Sequence, residues 1–171
     1  ERPNGVYVDS KIFGIKLKNN DISTNESEYN YGIFGVVNGS LNEDTGAVHP
    51  SFSNLTLEFY SVDIATAQNG NSGSTTYNLG LLAGSFNGIM TNVSLAIYGN
   101  CNVEVVASNG SVNFGAFGAN VSQFEYKFIN QNNQEEIRSF PTILEKCKLY
   151  GSGNILLSLQ TNESNIGGFV G

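Results

Sequence analysis

Positive charge is what this chain has least of. Of 171 residues only 8 are Lys or Arg against 15 Asp or Glu, a net charge of -7. Nucleic acids and anionic membranes both demand clustered cations, so neither is expected as a partner. No apolar run approaches the roughly 18 residues a membrane span needs, so no membrane insertion is expected. With 3 Pro, 13% charged and 40% apolar residues, the composition is that of an ordered protein. The length is that of one domain, taken as residues 1–171. The chain has no initiator Met and no signal peptide, and it stops at Gly171 inside a repeated phrase. The expectation is a processed chain or a segment of a longer polypeptide.

Chemistry-bearing residues are equally sparse. The one histidine, His49, precedes Pro50 and has no neighbouring Cys or second His, so neither a metal site nor a nucleophile-base pair is indicated. Asp9, Asp21, Asp44 and Asp63 fall at different offsets within the repeats described next, and the Glu43-Asp44 and Glu135-Glu136 pairs lie in insertions. Acid-base or calcium chemistry needs carboxylates converging on one face. No catalytic residue, cofactor or metal is therefore assigned, and the chain is read as not an enzyme. The two cysteines, Cys101 and Cys147, fall about six strand positions apart when the repeats are aligned, or about 20 Å, too far for a bridge. Two free thiols are expected, with Cys147 in the core.

What the sequence does have is a phrase that occurs four times: Asn30-Tyr31-Gly32-Ile33-Phe34-Gly35, Asn78-Leu79-Gly80-Leu81-Leu82-Ala83-Gly84, Asn113-Phe114-Gly115-Ala116-Phe117-Gly118 and Asn165-Ile166-Gly167-Gly168-Phe169-Val170-Gly171. An aromatic followed by a small residue precedes each copy: Phe13-Gly14, Tyr60-Ser61, Tyr98-Gly99 and Tyr150-Gly151. The distance from aromatic to Asn is nearly constant, whereas the distance from Asn to the next aromatic varies widely. Length variation confined to one connection is the signature of a solenoid, whose strands stay in register while one corner takes insertions. The predicted fold is all-β, a parallel β-solenoid (β-helix) with three strands per turn and about four rungs.

Before each aromatic, residues alternate apolar and polar, as in Leu57-Glu58-Phe59 and Leu95-Ala96-Ile97, which reads as a strand covering a core on one side. Alignment on the aromatics stacks Ile12, Phe59, Ile97 and Leu149 in one core column. A second strand follows the corner, with Val103, Val105 and Ala107 alternating in one rung and Ile155, Leu157 and Leu159 in another. Polar stretches such as 108–111 and 161–164 turn the second corner. The Asn-x-Gly phrase is the third strand, apolar on both faces and so covered on both. Of the insertions, residues 41–53 and 124–142, the second is rich in aromatics and is expected to fold back as a hairpin or short helix over the outer face of that third strand.

Stacked Asn30, Asn78, Asn113 and Asn165 can hydrogen-bond amide to amide as a structural ladder at a corner, the alternative being ligand contact. Phe13, Tyr60, Tyr98 and Tyr150 read as an aromatic corner ladder, the alternative being a sugar-binding stripe. Seven residues fit the N-glycosylation pattern: Asn25, Asn38, Asn54, Asn92, Asn109, Asn120 and Asn162. They collect at corners, where a glycan reaches solvent, which points to a secreted, extracellular or cell-surface chain.

The stretch Gly80-Leu81-Leu82-Ala83-Gly84-Ser85-Phe86-Asn87-Gly88-Ile89-Met90-Thr91-Asn92 resembles the glycine-rich GLUG repeat of large microbial surface and secreted proteins, whose pattern is roughly G-G-L-V-G-x-N-x-G-x-I-x-N. Gly167-Gly168-Phe169-Val170-Gly171 resembles the opening of that repeat, while the copies at Gly32 and Gly115 match only in their glycines and apolar positions. The resemblance covers about a third of the chain and implies a surface-exposed β-solenoid region without catalytic residues. The function expected is that of a structural subunit of a glycosylated extracellular filament or coat. Its partner would be another copy stacked head to tail on open end rungs, or the continuation of the same solenoid. A carbohydrate-binding or adhesive surface module is the alternative, with glycans as partners.

Overall fold

A computed structural model of the chain describes residues 9–22, 26–42, 45–66, 74–129 and 132–171. Asn25, Glu43 and Asp44 lie outside the described residues, as does the side chain of Asp21. Strands take 74% of the residues, and none of the described residues is helical.

Repeat 1 contains β1 (Ser10–Ile22), β2 (Glu28–Tyr31) and β3 (Phe34–Val37). After a short β4 (Ser40–Leu41), repeat 2 contains β5 (Val48–Thr66), β6 (Thr76–Gly80) and β7 (Ala83–Phe86). Repeat 3 contains β8 (Ile89–Ile97), β9 (Cys101–Gly115) and β10 (Gly118–Val121). Next come β11 (Phe124–Ile129) and β12 (Glu135–Phe140), and then repeat 4 with β13 (Ile143–Glu145), β14 (Lys148–Gly151) and β15 (Ile155–Ile166).

Equivalent strands of successive repeats pair in parallel. At the start of each repeat β1 pairs with β5, β5 with β8, and β8 with β13 and β14. Further on β2 pairs with β6, β6 with β9, and β9 with β15. A separate three-stranded sheet joins β3, β7 and β10, and Val170 bridges to Gly118 at its edge. Among the described residues antiparallel pairing is confined to β4 with β5 and β11 with β12, at the insertions.

The alternating sequence explains the core. Leu57, Phe59, Leu95, Cys101, Val103, Val105 and Phe114 are buried, all in one cluster. Full burial of each such side chain contributes about 1.5–3 kcal/mol. In the central repeats both neighbours of a column are present, and the columns are sealed.

Several expectations need correction. Alignment on the aromatics gives the right register only between repeats 2 and 3, where Phe59 pairs with Ile97. Ile12 pairs instead with Leu57, and Ile15 with Phe59. Leu149 pairs with Leu95, which leaves Gly151 opposite Ile97. Both outer repeats are thus two residues out of the alignment on the aromatics, in repeat 1 from Ser10 opposite Leu55 onward. The bulge at Gly14, where φ is +73, comes after that offset and is undone by Lys16 opposite Ser61.

The second corner does not interrupt the chain, since β9 and β15 run through residues 108–111 and 161–164. The interruption falls instead inside the Asn-x-Gly phrase, which is not one third strand but two short strands in different sheets, β6 and β7 in repeat 2. The chain bends so sharply that a Cβ on Gly80 would lie 1.9 Å from the Ala83 carbonyl oxygen. Glycine is required there by close approach of backbone. Both apolar series of the phrase thus reach the interior in the central repeats, where Leu79, Leu82, Phe114 and Phe117 are all buried.

Residues 124–142 do form a hairpin, but it does not cover the phrase. Of its described residues only Phe124 is buried, its ring lying against Gly39, and Ile129 and Ile137 face solvent. It is held by its own contacts: Phe124 stacks on Phe140 at 5.9 Å, Arg138 lies 4.4 Å over the Phe128 ring, and Lys127 pairs with Glu135 at 2.8 Å.

Candidate functional site

The asparagine column is the most ordered polar feature. Asn30, Asn78, Asn113 and Asn165 pair in strict register across β2, β6, β9 and β15. Asn78 Nδ2 donates to Asn30 Oδ1 at 2.9 Å, Asn113 Nδ2 to Asn78 Oδ1 at 2.7 Å, and Asn165 Nδ2 to Asn113 Oδ1 at 2.9 Å. Asn78 is fully buried, and its second amide hydrogen goes to Glu28 Oε1 at 2.6 Å. A carboxylate only accepts, so Glu28 fixes which Asn78 atom is the nitrogen and hence the direction of the whole column. Two positions earlier, the hydroxyls of Thr76 and Ser111 lie 2.9 Å apart.

A second polar column is not evident from the sequence. Asn54, Asn92 and Lys146 occupy the same place in repeats 2, 3 and 4, each with positive φ, at 53, 55 and 54°. Asn92 Nδ2 donates to Asn54 Oδ1 at 2.9 Å and reaches Asp9 Oδ1 at 3.4 Å. Asn visits this left-handed region at low cost and Lys does not. The available signal is an Asn six residues before the Tyr in two repeats, which on sequence alone reads as a glycosylation pattern. Replacing Lys146 by Asn is expected to stabilise the chain by about 1 kcal/mol, since the left-handed penalty falls and the amide column gains a member. Urea midpoints of the two chains measure it, and an unchanged or lowered midpoint contradicts it.

Of the glycosylation candidates, Asn38, Asn109 and Asn162 are exposed, and Asn54, Asn92 and Asn120 are half-buried. The side chain of the exposed Asn38 accepts at Oδ1 from Asn87 Nδ2 at 3.0 Å. Of the four corner aromatics the structure brings together Tyr60 and Tyr98, with ring centroids 5.6 Å apart and planes tilted by 44°. Tyr150 sits in the neighbouring column with Ala96 and Glu58, and Phe13 lies at the irregularity between Ile12, opposite Leu57, and Ile15, opposite Phe59. Alternation alone places that column in water, yet Glu58 and Ala96 are buried. Lys11 Nζ lies 2.6 Å from Glu58 Oε1, and this bond raises the pKa of the Lys11 ammonium above its ordinary value.

The remaining candidates stay apart. His49 is exposed near the start of β5, paired opposite Ser40 of β4. Asp63 accepts from Asn20 at 3.1 Å and Glu135 is tied to Lys127. Among the described residues no three His, Cys, Asp or Glu side chains converge, and no helix is long and apolar enough to cross a membrane. Open clefts of about 670 and 500 Å³ flank the β11–β12 hairpin, the larger lined by Asn38, Asn87, Gln123 and Phe124.

The cysteines are both free, but the buried one is Cys101, and Cys147 is half-buried at the core margin. Cys101 opens the alternating series with Val103 and Val105, a pattern obscured by alignment on Tyr98. Burial pushes its thiol up to about 12 and raises that of Cys147 as well. The native chain at pH 8 is therefore expected to leave Cys101 unlabelled by a thiol reagent until it unfolds, because the thiolate is the reactive form. Peptide mapping after timed labelling reads this, and prompt labelling of Cys101 contradicts it.

No protein-family model, curated protein or solved structure matches the chain.

Proposed function

We propose that the chain is a β-solenoid of about four rungs, a single domain with a non-catalytic, structural role. It assembles end to end into an extracellular, glycosylated filament or surface coat. The parallel register of the four repeats supports the coil, whose third side is bent at the Asn-x-Gly phrase, in repeats 1 and 2 between two short strands and in repeat 3 between the end of β9 and β10. Under this reading the likeness to the GLUG repeat is one of architecture and surface location.

One observation carries the assembly. Columns sealed in the central repeats are open at the outer ones: Ile12 is 53% exposed beside Leu57 at 1%, and Ile166 is 56% exposed beside Phe114 at 1%. Phe34, Phe169 and Leu156 add to these two exposed edges. Apolar edges of this kind, against which no further strand pairs among the described residues, are templates for a further rung. Repeats 1 and 4 expose different surfaces, and a contact between unlike ends does not close on itself but grows a fibre. Electron micrographs of the purified chain across a concentration series are expected to show unbranched filaments. Dispersed particles at every concentration contradict the assembly.

The exposed Asn38, Asn109 and Asn162 support the glycosylated, extracellular part of the reading. Material from a eukaryotic secretory host is expected to lose mass on glycosidase treatment, and an unchanged intact mass contradicts it. The exposed Tyr60–Tyr98 pair favours the second reading, a carbohydrate-binding surface module. Tight binding of a monomeric chain to a glycan array would select that reading.

A further inference from the structure

The amide column has a direction, and its two ends are complementary. Each asparagine donates toward repeat 1 and accepts from the repeat 4 side. The column therefore ends in an acceptor, Asn165 Oδ1, on one exposed edge, and in a donor, Asn30 Nδ2, on the other. We propose that the edge of repeat 4 binds the edge of repeat 1 of a second copy in the register Asn165 against Asn30, so that the ladder runs unbroken across the junction. This rests on the end-to-end assembly above, and adds its partner surface and register.

Continuing the observed columns by one step sets Ile166 against Tyr31 and Leu149 against Ile12 of the next copy. Each is an apolar or aromatic pair between residues that are otherwise exposed or half-buried. A slip of one residue would turn every side chain to the opposite face and set Asn165 against a tyrosine. The occupant is a second copy because the matching donor, the apolar pattern and the strand direction are all carried by this chain's own first repeat.

The same register opposes two pairs of like charge. Lys148 meets Lys11, which Glu58 already neutralises. Glu163 meets Glu28, in the column that holds Ser111 and Thr76 between them. Like charges directly opposite each other weaken a strand pair. The junction therefore combines a register-setting amide bond with one repulsive pair.

Two substitutions in the full chain separate these contributions by sedimentation velocity over a concentration series. Asn30→Asp keeps an acceptor for Asn78 Nδ2 but turns the outward donor into a charged acceptor facing Asn165 Oδ1. It is expected to weaken association about tenfold or more. Glu163→Gln lies on an exposed position and removes the repulsion, and is expected to tighten association roughly two- to fivefold. Opposite shifts support the register. If Asn30→Asp alters the fold, seen as a lowered thermal midpoint of the monomer, the Glu163→Gln shift alone decides. If the unaltered chain forms filaments and Glu163→Gln leaves association unchanged, the register is overturned while end-to-end assembly stands. If the unaltered chain stays monomeric throughout, the assembly reading fails and this inference with it.

Discussion

Replacing Asn78 by Asp is expected to unfold the chain at neutral pH, or to bring it to the edge of unfolding. Asn78 is fully buried and donates to both Glu28 Oε1 and Asn30 Oδ1, while its own oxygen accepts from Asn113. An ionised aspartate has no hydrogen to give, so two acceptors, one of them a carboxylate, would face a third. An uncompensated buried charge costs about 3–5 kcal/mol, against a total stability of about 5–15 kcal/mol for most domains. Asn78→Ala removes these bonds without adding charge, and because Glu28 is exposed and Asn30 and Asn113 are half-buried, so that they regain water, it is expected to cost less, about 1–3 kcal/mol in total.

The pH dependence separates the two variants. Burial beside Glu28 raises the folded-state pKa of the introduced aspartate above its unfolded value near 3.9. The variant's deficit is therefore absent below the unfolded value and grows as pH rises through the folded one. Urea unfolding at pH 4 and at pH 7 is expected to show the deficit of Asn78→Asp mainly at pH 7, and that of Asn78→Ala at both. Equal stability of Asn78→Asp and the unaltered chain at pH 7 would mean that the amide column contributes nothing.

Gly80→Ala is expected to be as damaging, for a steric reason. The added Cβ would meet the Ala83 oxygen at 1.9 Å and its carbon at 2.7 Å, with the Gly115 oxygen at 3.2 Å. All three are backbone atoms, so relief requires opening the bend between β6 and β7. Overpacking of this kind costs about 3 kcal/mol or more. Gly168 belongs to the fourth copy of the same phrase, but a methyl group there would have nothing within 4 Å, and Gly168→Ala is expected to change stability by less than about 0.5 kcal/mol. Thermal or urea midpoints of the pair provide the comparison. A tolerated Gly80→Ala would show that the bend opens easily.

The strands and their parallel order are legible because alternation at Leu57-Glu58-Phe59 and Val103-Val105-Ala107 repeats with nearly constant spacing. Asn30, Asn78, Asn113 and Asn165 can be aligned because no residue is inserted between them and the paired strands they sit on. The aromatics cannot, because repeats 1 and 4 lie two residues out of the alignment on Tyr60 and Tyr98, and a shift of two leaves the alternation of apolar residues unchanged. The bend at Gly80 is hidden for a related reason. A phrase apolar on both faces reads as a strand covered on both sides, whereas the structure bends the phrase so that both series turn inward. The left-handed Asn54 and Asn92 are masked by a second pattern on the same residues, the glycosylation motif.

Fibre diffraction from aligned assembled material decides whether the repeats stack along a filament, because it reads strand direction relative to the long axis. Four repeats stacked at about 4.8 Å give a strong reflection at that spacing along the filament axis and a subunit repeat of about 19 Å. End-to-end stacking puts both on the meridian. A 4.8 Å reflection on the equator, with strands running along the filament, would contradict it.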